Sequence, residues 1–267
     1  MLLTAALLGV IQGLTEFLPV SSSAHLILAR FFFGWEAPAF GLAFDVALHL
    51  GTLAAILVYF RQDIARMIAA LPEALSATGG PSSRLIRLIV IGTIPAIVVG
   101  LLFNDYVETR LRTPLVAAVA LAVGAVVMLV SERAGTPSRD ETTMSAGDAL
   151  AVGLAQACAL IPGVSRSGST IAIAMLLGIR REAAARFTFL LAIPAILAAG
   201  GKESLELRHM HPGGDVLALF AVGAVVSAVV GYVTIKYFLR FLAGHRLDVF
   251  SYYRLALSAV TFALLFR

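Results

Sequence analysis

Charged residues make up only 13% of this 267-residue chain, against 60% hydrophobic, and there is one cysteine. So little charge excludes a water-soluble domain of this length, and apolar runs recur from one end to the other, as in an integral membrane protein. The single Cys158 excludes an internal disulfide, and its apolar neighbours predict a small core residue in place of a reactive thiol. A basic leader and a small-residue cleavage site are missing at the N-terminus, which is therefore read as mature structure. Strand-like alternation is missing too, so helices and not a barrel must satisfy the backbone in lipid. The formal charge of +4 reads as a bias of basic residues toward one membrane face, with no nucleic acid as partner.

What is present is a set of apolar stretches of spanning length. Six are expected to cross the bilayer: Phe40 to Phe60, Leu85 to Phe103, Pro114 to Val130, Phe187 to Gly200, Val216 to Leu239, and Phe250 to Phe266. Two further segments, Met1 to Phe33 and Asp148 to Ile179, are apolar at both ends and broken in the middle. The breaks are Pro19 with Ser21, Ser22 and Ser23, and Pro162-Gly163 with Ser165, Arg166 and Ser167. Each half is too short to span, and proline ends the preceding turn, so both segments are expected to enter the membrane, break and return as re-entrant helical hairpins.

The two hairpins resemble each other. Gly9-Val-Ile-Gln12 matches Gly153-Leu-Ala-Gln156, and Pro19-Val-Ser21-Ser22-Ser23 matches Pro162-Gly-Val-Ser165-Arg166-Ser167 with one residue gained. Three spans follow each hairpin, giving halves of about 1–134 and 145–267 within one membrane domain. An odd number of crossings between the hairpins makes them enter from opposite faces. The expected fold is therefore all-α and polytopic, with six transmembrane helices and two re-entrant hairpins arranged as inverted repeats whose tips can meet near the midplane.

Under this topology one side receives Arg61, Arg66, Arg84, Arg87, Arg133, Arg139, Arg180, Arg181, Arg186, Lys236, Arg240 and Arg246. The other receives Arg30, Arg110, Arg112, Lys202, Arg208 and Arg267, and Arg166 and Arg254 fall inside the membrane or at its edge. The first, richer side is expected to be cytoplasmic, with both termini outside.

Polar groups in hydrocarbon cost several kcal/mol when unsatisfied, so the tips are the site candidates. Gln12 and Glu16 lie one helical turn apart, and His25 follows the serines on the other arm. The second tip offers Ser165, Arg166, Ser167, Ser169 and Thr170, a guanidinium with hydroxyls and backbone amides that suits a phosphate oxyanion. An Arg166–Glu16 ion pair that only pins the hairpins together is the alternative. Asp45 and His49 share a helix face at i, i+4 and are set aside as a second-layer pair or an internal hydrogen bond. Glu203, Glu206, His209 and His211 read as a solvated polar connection, and Pro95 and Pro194 as kinks.

The stretches Gln12-Gly-Leu-Thr-Glu16-Phe-Leu-Pro19-Val-Ser-Ser22-Ser-Ala-His25 and Pro162-Gly163-Val-Ser165-Arg166-Ser167-Gly168-Ser169-Thr170 resemble the two motifs of the undecaprenyl pyrophosphate phosphatases of the bacitracin-resistance type, and the likeness runs essentially the whole chain. The first motif takes glutamate or glutamine at the position of Gln12, so this chain lacks a second carboxylate there. The resemblance implies hydrolysis of a C55 polyprenyl diphosphate to the monophosphate and inorganic phosphate. It implies dependence on a divalent cation and a site open to the outer face of the bacterial cytoplasmic membrane. It further implies carrier-lipid recycling for the cell wall and a part in bacitracin resistance.

Residue chemistry agrees with such a reaction. Arg166, Ser165, Ser167 and Thr170 are expected to clamp the diphosphate. Glu16, through Mg2+ or Ca2+ and assisted by Gln12, is expected to neutralise it and position the attacking group. Ser22 is the preferred nucleophile with His25 as base or as the group holding it; direct attack by His25 or by a metal-activated water stays open. A lipid-phosphate transporter or flippase built on the same inverted repeats is the rival reading. Association into a homodimer is left open.

Overall fold

A computed structural model describes residues 1–35, 37–74, 76, 79–210 and 213–267; the side chains of 38, 104 and 202–210 lie outside that description. The described residues are helical almost throughout: α1 (Leu2–Thr15), α2 (Ser22–Phe33), α3 (Leu42–Tyr59), α4 (Arg61–Ala69), α5 (Pro81–Tyr106), α6 (Pro114–Ala134), α7 (Ala146–Cys158), α8 (Arg166–Leu176), α9 (Arg181–Met210), α10 (Gly214–Leu242) and α11 (Asp248–Leu265). A π-helical turn, Val107–Leu111, closes α5. The chain is an all-α polytopic membrane protein. Six helices among the described residues are long and apolar enough to cross a membrane: α3, α5, α6, α9, α10 and α11. Each overlaps one of the spans read from the sequence; α5, α6, α9 and α10 contain theirs whole, α3 stops short of Phe40 and Phe60, and α11 ends one residue before Phe266. Leu101, Leu102, Val225, Val229 and Tyr237 stand exposed on them, as expected of side chains whose solvent is lipid.

The four remaining apolar helices are short. At about 1.5 Å per residue, none of α1 (14 residues), α2 (12), α7 (13) and α8 (11) reaches the thickness of a hydrocarbon core. Two of them, α1 and α7, lie against long helices through glycine. A Cβ on Gly9 of α1 would sit 2.7 Å from the Gly223 carbonyl of α10, and one on Gly153 of α7 would collide with the Gly92 carbonyl of α5. Glycine alone permits backbones this close.

Polar residues segregate to the two ends of the bundle. Beyond the C-termini of α3 and α6, Arg186 pairs with Asp63 at 3.2 Å, Arg181 with Glu132 at 2.5 Å and Arg139 with Asp148 at 2.7 Å. The other end, at the start of α3 and before α6, carries Arg30 and Arg112, both bound to Asp45. Arg139, Arg181 and Arg186, assigned to one side in the sequence, thus pair at one end, and Arg30 and Arg112, assigned to the other, meet at Asp45.

Two local expectations change, and one helix was not anticipated. Cys158 is exposed, because apolar neighbours in a membrane protein mark a lipid face as readily as a core. The connection holding Glu203, Glu206 and His209 is backbone helix, since α9 continues to Met210, and His211 lies outside the described residues. The polar stretch after α3 forms α4, which has no buried residue; a polar surface helix carries no hydropathy signal of its own. Both α5 and α9 run through their internal prolines, Pro95 and Pro194.

Candidate active site

Two short breaks interrupt the helices, one between α1 and α2 and one between α7 and α8. Each ends on a serine with φ of 73°, Ser21 and Ser165. For a residue other than glycine such a backbone costs on the order of 1–3 kcal/mol and persists only where its surroundings hold it. Each serine caps the helix that follows: Ser21 Oγ accepts from the Ala24 amide at 3.4 Å and Ser165 Oγ from the Gly168 amide at 3.1 Å. Each hydroxyl also lies beside the serine two residues on, Ser23 at 3.2 Å and Ser167 at 3.3 Å. The likeness of the two peptides in sequence is a likeness of local geometry as well.

The breaks touch. The Gly163 amide donates to Ser21 Oγ at 3.2 Å, and Ser167 Oγ donates to the Leu18 carbonyl at 3.0 Å. Arg254 of α11, fully buried, donates to the Pro19 carbonyl at 3.2 Å on one side and to the Gly163 and Val164 carbonyls at 2.9 and 3.0 Å on the other. It also reaches the Ala120 and Leu121 carbonyls of α6, each at 3.2 Å. Breaking a helix strands carbonyls that water would otherwise serve, and a guanidinium with five donors serves both breaks at once.

Glu16 is the hub of the polar cluster. Its Oε1 accepts from Arg166 at 2.5 Å, and its Oε2 accepts from Ser22 Oγ at 2.5 Å and from Gln12 Nε2 at 3.0 Å, with His49 Nε2 at 3.4 Å. The His49 Nδ1–H donates to the Asp45 carbonyl at 2.8 Å. A hydrogen bond between Nε2 and the carboxylate therefore needs a proton on one of the two, which makes this contact a place to hold one. Glu16, Ser22, Ser23, Asp45, His49, Ser165, Arg166 and Arg112 line a cavity of about 290 Å³, whose other walls include Gln156, Pro162 and Ile196. Arg112 and Glu108 put its rim at the end of the bundle that carries Asp45.

Of the site residues expected from the sequence, Glu16, Ser22, Ser165 and Arg166 line the cavity, and Gln12 joins them through its bond to Glu16. It does not bring the others to the cavity. Thr170 donates to the Arg166 carbonyl at 2.6 Å and accepts from Thr188 at 2.9 Å, and Ser167 faces Leu18. His25 is spent elsewhere: Nδ1–H donates to the Ser21 carbonyl at 2.7 Å, and Nε2 accepts from the Tyr253 hydroxyl at 2.7 Å under a stacked ring. His49 is the residue that sequence reasoning set aside. Its spacing from Asp45 was the available signal, but only the packing of α3 on α1 aims it at Glu16. Among the described residues no group of three or more His, Cys, Asp or Glu side chains could hold a metal ion by itself.

The family model for bacitracin resistance protein BacA matches residues 5–260, spanning both breaks and Arg254. The chain belongs to this family. Curated relatives align over nearly their whole length. The undecaprenyl-diphosphatase of Rubrobacter xylanophilus is 48% identical over 267 residues, 99% of this chain and 98% of the relative. That of Desulforudis audaxviator is 46% identical over 260 residues, 97% and 96% of the two chains. The undecaprenyl-diphosphatase 2 of Stutzerimonas stutzeri is 46% identical over 269 residues, 98% of each. Within this BacA-family chain, the cavity is bounded by both segments that carried the resemblance, Gln12–His25 and Pro162–Thr170.

Proposed function

We propose that the chain is an undecaprenyl diphosphatase of the bacterial cytoplasmic membrane, releasing inorganic phosphate and returning the C55 monophosphate as carrier lipid for cell-wall synthesis. The observation that carries the chemistry is Ser22 Oγ at 2.5 Å from Glu16 Oε2, in the same cavity as Arg166. Ser22 attacks the terminal phosphorus and its proton passes to Glu16. The new P–O bond forms as the bridging P–O bond breaks, and undecaprenyl monophosphate leaves. Water then hydrolyses the phosphoserine, releasing phosphate and restoring the hydroxyl.

Arg166 leaves Glu16 for the phosphoryl oxygens, where its planar fork matches two of them, and Ser165 adds a hydroxyl. Ser167 and Thr170 hold the second break in shape, and His25 holds the first through the Ser21 carbonyl. A divalent cation, Mg2+ or Ca2+, fits this donor set as a partner shared with substrate: Gln12 Oε1 is buried with no partner beside the Glu16 carboxylate, and oxygen ligands suit a hard ion. Gln12 and Glu16 would hold it, and when bound it would draw charge from the phosphoryl oxygens.

In this reading α1–α2 and α7–α8 are re-entrant hairpins, and the halves 1–134 and 145–267 are inverted repeats. Support comes from the paired φ of Ser21 and Ser165 and from the contacts of Gly9 with α10 and Gly153 with α5. The arginine-rich end is cytoplasmic by the positive-inside bias, and the cavity rim at Arg112 then faces outward. The test is phosphate release from undecaprenyl diphosphate in detergent by wild type, Glu16→Ala, Ser22→Ala and Arg166→Ala. Release by wild type alone is expected; lipid binding without release by wild type would turn the reading to a transporter.

A further inference from the structure

Gln156 is buried in the cavity wall with nothing to bind. It lies in the last turn of α7, two residues before the helix ends, and is 3% exposed. Neither its Nε2 nor its Oε1 has a hydrogen-bond partner, although its neighbours on the wall include Ser165 and Arg166. Its counterpart in the first half, Gln12, donates to Glu16 four residues on. Four residues after Gln156 stands Leu160, so the partner that occupies Gln12 does not exist here. Buried amide groups left unpaired are rare, because each costs a desolvation penalty that nothing offsets. The cavity that Gln156 lines is the side from which a substrate oxygen can meet its carboxamide.

We infer that Gln156 is a substrate-binding residue, whose carboxamide donates to a non-bridging phosphate oxygen of the lipid diphosphate beside Arg166. The inference rests on the diphosphatase reading and adds a contact from α7, outside both motif segments. The two halves then contribute unlike tools at like positions. The first gives the carboxylate and the serine hydroxyl, and the second gives the amide and the guanidinium.

The test replaces Gln156 with methionine, close in volume and without hydrogen-bonding groups. Phosphate release from undecaprenyl diphosphate, inhibition by inorganic phosphate and thermal unfolding are measured on the same detergent-solubilised preparations. Loss of one hydrogen bond to a charged oxygen is expected to lower kcat/KM about tenfold or more, with KM carrying most of the change. Inhibition by inorganic phosphate weakens in parallel if Gln156 meets the transferred phosphoryl group, and stays as in wild type if it meets the lipid-borne phosphate; both outcomes uphold the contact. Tm stays equal to wild type or rises, because no internal bond has been removed. A kcat/KM within twofold of wild type overturns the inference, and so does a fall in Tm that accounts for the lost activity. Absence of phosphate release by wild type itself would instead overturn the diphosphatase reading.

Discussion

The Arg166 guanidinium and the Glu16 carboxylate meet at 2.5 Å across 150 residues of chain, joining the start of α8 to the end of α1. The pair holds the resting cavity together, yet each partner is also the group that a diphosphate would need. Arg166 side-chain exposure is 18% and that of Glu16 is 5%, so the arginine is the partner free to swing toward a ligand.

Arg166→Lys separates these two duties. Lysine keeps a charge for Glu16 but loses the planar fork, and point charge and fork are not equivalent on a phosphoryl group. The expected result is a fall in kcat of roughly 10²–10³ with little change in Tm. Phosphate release and thermal unfolding on one preparation check it; wild-type turnover would show that Arg166 is only a structural tie.

Ser22 and His49 approach the same Glu16 oxygen, which predicts different consequences for each. Ser22→Ala removes the attacking atom and is expected to lower turnover by about 10³-fold or more. Full turnover in that variant would leave water as the nucleophile. His49→Gln keeps a hydrogen-bonding group beside Glu16 that cannot titrate, so the limb of the pH–kcat profile reporting the imidazole should flatten while the plateau stays within roughly tenfold of wild type. An unchanged profile would remove His49 from proton handling.

Much of this architecture was legible in the chain. Long apolar runs need no tertiary information to be read as spans, and all six reappear as α3, α5, α6, α9, α10 and α11. The pairing of Glu16 with Arg166 was legible only as an alternative to Arg166 binding a ligand phosphate, because a costly cation in hydrocarbon needs an anion of one kind or the other. Side-chain direction was not. His25 follows the serine cluster in sequence yet turns toward Tyr253, 228 residues away. His49 has no motif around it and enters the site only because α3 packs beside α1. Arg254 gave even less warning, since its partners are backbone carbonyls, which every residue possesses. Hydroxyls such as Thr170 were read as ligand groups, but a threonine within a helix can back-bond to the carbonyl one turn before it, and here it does.

The position of His25 carries its own prediction. Tyr253→Phe deletes the hydroxyl bonded to Nε2 but keeps the stacked ring, so stability should drop by about 0.5–1.5 kcal/mol while the pH–kcat profile keeps its shape. Unfolding in detergent gives the first quantity and initial rates across pH the second. A displaced profile would return His25 to the chemistry as a titrating group.

Arg254 offers the sharpest test of how the two breaks are held. Its guanidinium bonds the Pro19, Gly163 and Val164 carbonyls together with two from α6, and Gly124 and Gly168 leave the space it fills. Arg254→Met keeps the apolar stem and strands those acceptors, each at roughly 1–3 kcal/mol when buried and unpaired. A loss of at least about 3 kcal/mol is therefore expected, read as a large fall in Tm. Lysine has three donors in place of five, so Arg254→Lys should recover part of the Tm, and the activity surviving at low temperature should show a reduced kcat, because Glu16 and Arg166 sit on the peptides that Arg254 aligns. A methionine variant with wild-type Tm would mean that the breaks keep their shape without the arginine, leaving the strained backbones of Ser21 and Ser165 to be held by the Ser21–Gly163 and Ser167–Leu18 bonds alone.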